Sequence, residues 1–196
     1  MNNSFRLLTI ICVSVFLFSC HHKKVVVFAD SDIQVDNSNK NIVVTDGTTF
    51  TIKELEFSSG GAVELNVQWP KGKILLTTSP EDGLSIANLT ADTIVGCYQH
   101  VGADNGQVKL TTDQLKYAVD SLYQLTGGIN IAPRNRNYFI PPGKVVKITD
   151  NIKAKIFPPY TTIPGGFDAT ETPEVYKFYT NHEVREIIEK LTKMIN

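Results

Sequence analysis

Two side chains in the body of this chain, close in sequence, suggest a nucleophile–base pair. Cys97 and His100 supply a thiol and an imidazole, with Asp92 or Asp104 near enough to orient the ring. That chemistry needs the pair on one side of the backbone. Asp92 to Val101 is β-rich in composition, and residues three apart on a strand point to opposite faces. The expectation is therefore a small buried cysteine and a surface histidine. His21, His22, His100 and His182 sit at no ligand spacing with a partner, so no metal or cofactor is expected. A G-x-S-x-G turn and a phosphate-binding glycine loop are both missing; Gly60-Gly61 and Gly127-Gly128 read as turns. A glycosidase pair has no local signature, and the acidic residues could hide one.

The better functional candidates are two irregular segments rich in proline and aromatics. Pro133 to Gly143 contributes Arg134, Arg136, Tyr138 and Phe139, and Pro158 to Pro173 contributes Tyr160 and Phe167. These residue types dominate interface hot spots, and loops on a rigid scaffold commonly carry binding. The alternative is that Tyr138, Phe139 and Phe167 pack under the loops as satellite core.

Several elements must position these segments. Val25–Phe28 is a β-branched run, Asp30–Asn41 reads as a loop, and Ile42–Thr45 as a strand. Phe50 and Ile52 alternate, but Leu55 and Phe57 continue in the opposite phase, which a β-bulge at Lys53-Glu54 would explain. Val63, Leu65, Val67 and Trp69 share one face of the clearest strand, and Ile74–Thr77 follows a turn. This first third reads as an antiparallel meander. Ser79–Ala91 is ambiguous. Val145–Ile148 and Ile152–Phe157 look like a hairpin turning at Asp150-Asn151.

Two helices are well marked. Thr111 and Gln114 fit a capping box with Leu110 and Leu115 as its staple, and Gly127-Gly128 ends the helix. Thr180 and Glu183 repeat the box, with Tyr179 and Val184 as staple. Val184, Ile187, Ile188, Leu191 and Ile195 then form an apolar stripe. The fold class expected is α+β: antiparallel sheet(s) with two amphipathic helices packed on one face.

The first residues are of another kind. Arg6 precedes an uncharged apolar run from Leu7 to Phe18. As a helix it would span roughly 18 Å, short of the roughly 30 Å hydrocarbon core. It reads as a secretory signal. Its end, Leu17-Phe18-Ser19-Cys20, resembles the lipobox of bacterial lipoproteins. That resemblance implies cleavage before Cys20, a diacylglyceryl group on its sulfur and a fatty acyl chain, such as palmitate, on the new amine. It also implies that His21, not being aspartate, directs the protein to the outer membrane, facing the periplasm. The organisation expected is a signal over 1–19, a lipidated start and spacer over 20–24, and one domain over 25–196. Asp92-Thr93-Ile94 and Asp120-Ser121-Leu122 also resemble the short O-glycosylation sequon of Bacteroidota.

Charge and cysteine content narrow the classes. The chain carries 19 Lys and Arg against 20 Asp and Glu, a net charge of −1. No basic excess suggests nucleic acid. Cys12 leaves with the signal and Cys20 takes lipid, so Cys97 has no partner for a disulfide within the chain. The reading that fits is a membrane-tethered, non-enzymatic module that binds another envelope protein. An immunity protein against a periplasm-delivered toxin, or an accessory subunit of an envelope complex, would satisfy it. The alternatives are an envelope hydrolase with a scattered site and a glycan-binding lipoprotein stacking sugar on Trp69, Tyr138 or Tyr160.

Overall fold

The computed structural model describes residues 21–36, 38, 40–100, 111–164, 167 and 173–195. Residues 1–20, with the apolar run and Cys20, and Asp104 and Leu110 lie outside the described residues. The strands are β1 (Lys23–Ala29), β2 (Ile33–Asp36), β3 (Asn41–Val44), β4 (Thr51–Phe57), β5 (Glu64–Trp69), β6 (Gly72–Thr77), β7 (Gly83–Leu89) and β8 (Ile94–Gln99). Helix α1 (Thr112–Thr126) and a 3₁₀ turn (Pro133–Asn135) precede β9 (Asn137–Ile140), β10 (Lys144–Thr149), β11 (Lys155–Phe157), β12 (Val175–Thr180) and α2 (Asn181–Ile195).

The α+β class holds, but the sheets are mixed rather than antiparallel. A central sheet runs β10-β7-β1-β4, with β7 parallel to β1. A second runs β2-β3-β5-β6 with β3 parallel to β5, and a third runs β11-β12-β8-β9 with β11 parallel to β12. The central sheet is covered on both faces. Val25, Val27, Leu55, Ala87 and Leu89 pack on Ile42, Leu65, Val67 and Leu76 of the second sheet. Val26, Phe28, Leu84 and Ile86 pack on Ile94, Ile140, Tyr176 and Phe178 of the third. The helices lie on the far face of the third sheet, where Val119, Leu125, Val184 and Ile188 meet Val95, Phe139 and Tyr179.

This layering explains the local sequence. A strand covered on both faces reads as a continuous apolar run, as in Val25–Phe28. Every residue of β7 is buried, including Ser85 and Asn88, and those polar residues obscure its pattern. Asn88 is satisfied: its amide donates to the carbonyls of Ile140 (2.7 Å) and Asp92 (2.9 Å), and its oxygen accepts from Thr90.

Four further expectations are corrected. Asp30–Asn41 contains a strand, β2, paired with β3. The phase slip in β4 is not a bulge, because β4 pairs with β1 in unbroken register from Lys23↔Phe57 to Ala29↔Thr51. Phe50 packs with Phe28 on one side of the central sheet while Leu55 and Phe57 serve the other. The first third is no meander, since β4 pairs with β1 and β3 with β5. Finally, β10 and β11 form no hairpin; they belong to different sheets.

The first capping box is met in structure and the second only in part. Gln114 N–H donates to Thr111 Oγ1 (3.3 Å) and Thr111 N–H to Gln114 Oε1 (2.8 Å). At α2, Glu183 N–H donates to Thr180 Oγ1 (3.0 Å), but the Glu183 carboxylate accepts from the backbone N–H of Tyr160 (3.2 Å) instead of closing a box. The Asp92 carboxylate accepts from His182 N–H (3.1 Å) and so adds a negative charge at that helix start.

Candidate functional site

Strands β4 and β11 are each the edge of a sheet, and between them lies a cleft of about 970 Å³. Lys24, Glu54 and Glu56 come from the central sheet, Lys155 to Phe157 from β11, Asn151 to Ala154 from the connection between β10 and β11, and Pro173 and Glu174 from the approach to β12. The alternation expected of Ile152–Phe157 is present: Ala154 is buried while Lys153 and Lys155 are exposed. The cleft is lined by apolar Ile152, Ile156 and Phe157 together with charged residues of both signs. Lys24 Nζ holds Glu54 at 2.6 Å.

Glu174 joins this cleft to a polar–aromatic cluster. Its carboxylate accepts from Tyr176 OH (2.6 Å), from Thr149 Oγ1 (3.1 Å) and from the Arg136 guanidinium. Arg136 lies 4.0 Å over the Tyr98 ring and 5.6 Å from that of Tyr176. Burial works to raise the Glu174 pKa, but hydrogen bonds from Tyr176, Asn151 and Thr149 and the Arg136 charge hold it below the ordinary carboxylate value. The chemistry available here is that of a fixed anion which accepts hydrogen bonds. Arg136 has a φ of 54°, in the left-handed region.

The named candidates do not form one surface. Arg136 meets Glu174 just before β12, whereas Tyr160 OH meets Thr180 Oγ1 (3.3 Å) at the other end of that strand. Six strand residues separate them by roughly 20 Å. Tyr138 is a core residue of β9, 5% exposed, with its OH donating to the Ile148 carbonyl (2.5 Å), as in the alternative of satellite core. An interior face of a sheet offers it no partner surface. Phe139 packs beneath the helices, and Phe167 stacks edge-on against Phe157 at 6.2 Å. Arg134 is exposed on the 3₁₀ turn. Tyr160 stays 63% exposed with a φ of 61°.

Cys97 and His100 are apart, as strand geometry requires. The His100 ring sits against Tyr98 (4.9 Å), whose face of β8 is opposite that of Cys97. Burial pushes the Cys97 thiol up despite the Gln99 amide donating to its sulfur at 3.1 Å. A thiol so shifted is a poor nucleophile. Thr93 is half-buried under the start of α2, its carbonyl accepting from Asn181 N–H (3.0 Å).

Two features escaped the sequence reading. The outer face of the second sheet carries Asn41, Asn66 and Gln68 beside Val43, Lys73 and Leu75, in a groove of about 560 Å³. The second is Lys177, a lysine only 3% exposed whose ammonium donates to the Pro158 carbonyl (2.6 Å) and lies 4.6 Å from the Tyr179 ring. Burial lowers its pKa, with the Glu183 charge acting the other way. Between that lowered value and the 10.5 of an ordinary lysine, the unfolded chain binds more protons, so stability rises with pH in this window. Above pH 10 the sign reverses: burial, with the nearby Cys97 and Glu183, pushes Tyr179 up to about 12, and unfolded tyrosine ionises first. Lys177→Met should remove the gain in urea midpoint as pH rises toward 10.5 and leave the loss above pH 10. An unchanged slope in the variant would place the titration elsewhere.

No protein family matches the chain, and neither does any curated protein or solved structure.

Proposed function

We propose that this is a lipid-tethered envelope protein that acts by binding, and that the β4–β11 cleft receives an extended segment of a partner protein. The observation that carries this reading is the pairing of two sheet edges across one cleft. Edge strands present backbone N–H and C=O groups that an added strand can satisfy, and side-chain pockets then supply specificity. The apolar lining from Ile152, Ile156 and Phe157 suits apolar side chains of the guest. Glu56 and Lys155, both exposed on its rims, suit a guest of mixed charge. An immunity protein or an accessory subunit of an envelope complex would both use such a site.

A photo-crosslinking residue at Glu56 should capture the partner in intact cells, while one at Gln68, on the remote outer face, should not. Glu56→Lys combined with Lys155→Glu should weaken that complex at least tenfold, a loss of about 1.4 kcal/mol, with an unchanged melting temperature. Equal capture from both positions would count against the cleft.

A second reading is supported by the outer face of the second sheet. Asn41, Asn66 and Gln68 each offer amide donors and acceptors there, beside the bare Leu75 (56% exposed). Uncharged amides around a small apolar platform suit a neutral glycan. Titration with soluble neutral oligosaccharides, followed through side-chain amide resonances, tests it.

A further inference from the structure

Resting on the reading that Cys20 carries lipid, we propose that the end of the domain where the chain enters is a fixed membrane-contact face, held against the lipid headgroups. The partner is a bilayer surface, and what holds the face there is the absence of slack between anchor and fold.

His21, the residue after the lipid site, is already tied to the domain. Its Nδ1 lies 3.1 Å from Asp82 Oδ2. Its ring lies so close to Gly60 that a Cβ there would sit 3.0 Å from His21 Cδ2. Lys23, which opens β1, is buried and donates to the Pro80 carbonyl at 2.6 Å. Cys20 is therefore one peptide link, about 3.8 Å between Cα atoms, from a half-exposed side chain that is held to the fold by Asp82. Acyl chains buried in the hydrocarbon bring that side chain, and the surface around it, to the headgroup layer.

Register identifies the rest of this face. Lys23 opposes Phe57 on β4 and Gly83 on β7, and Leu84 opposes Thr149 on β10. The segments 58–61, 79–82 and 150–153 therefore surround His21. At the opposite end of the same sheet, Ala29 opposes Thr51 and Leu89. Six strand steps place that end roughly 20 Å away. Several charges on the face are internally paired, Lys147 with Glu81 (2.5 Å) and Asp150 (2.6 Å) and Asp82 with His21 and Lys23. Contact imposed by the anchor then needs no anionic lipid, and it should be insensitive to salt. The cleft shares this end through Lys24, Glu56 and Lys153, so it opens beside the bilayer.

The test uses the acylated protein in phosphatidylethanolamine–phosphatidylglycerol vesicles, in a Cys97→Ser background. Single cysteines at Ser58, Lys153 and Thr48 carry an environment-sensitive fluorophore. Headgroup-attached nitroxide lipids should quench the first two several-fold more than Thr48, equally at low and high salt. A 12-residue Gly-Ser insertion between Cys20 and His21 should level the three. Mass spectrometry of the anchor separates the two possible failures. Equal quenching in verified, unextended lipoprotein overturns the contact face alone, whereas an unacylated Cys20 removes the lipid reading beneath it.

Discussion

Ile188→Asp should yield no soluble folded protein. Ile188 is 3% exposed, packed with Val95, Val119, Leu125 and Val184 where α2 and α1 meet the third sheet. A carboxylate there would lose water in a pocket built from hydrocarbon. An unpaired buried charge costs several kcal/mol, and the whole stability of a domain is only about 5–15 kcal/mol. The comparison variant is Ile188→Ala, which removes the same contacts without adding charge. It should stay folded with a stability lower by about 2–5 kcal/mol. Ile129→Asp, at a site 61% exposed, should change stability by less than about 0.5 kcal/mol. Circular dichroism melts and urea midpoints read all three. If the Ile188→Asp protein melts within a degree or two of wild type, the helices do not cover this face in solution.

The helices were legible because their signals are local. The Thr111–Gln114 box and the Val184–Ile188 stripe each lie within one turn or two, and both occur as read. Strand β5 was legible for a related reason: it has one solvated face, so Leu65 and Val67 alternate visibly with Asn66 and Gln68. The central sheet was not legible. Both faces of β1, β4 and β7 are used, so alternation vanishes in β1 and β7 and changes phase in β4. Which strand pairs with which depends on contacts far apart in sequence, such as Lys23 with Gly83, and no local pattern encodes them.

The candidate site was legible in residue type but not in role. Arg136 drew notice as a loop arginine among aromatics. Its neighbours Tyr98 and Tyr176, 38 and 40 residues away in sequence, take up its faces, and Glu174 takes up its charge. Tyr138 drew notice for the same reason and fills the core. A β-strand four residues long, inserted between a 3₁₀ turn and Pro141, has too short a period to be separated from a loop by composition. The cleft itself has no sequence signal, because it is defined by two edges that only the sheet order creates.

Cys20→Ala should move the protein wholly from the membrane fraction to the soluble one. The apolar run before it is too short to span a bilayer, and among the described residues no helix is long and apolar enough to cross one. On the proposed lipid-anchored reading, retention comes from the acyl groups, each buried methylene contributing about 0.8 kcal/mol. Alanine at this position has no sulfur to take the diacylglyceryl group, so every later acylation step fails with it. The fold should survive: the central sheet begins at Lys23, and the cores are built from Val25 onward. Incorporation of labelled palmitate, detergent-phase partition and the melting temperature of the released protein read the result. Loss of palmitate and of membrane retention with an unchanged melt is the expected set. A variant that still pellets with the envelope after high-salt washing would assign retention to the uncleaved apolar run or to a protein partner, and the membrane-contact face would have to be argued anew from that attachment.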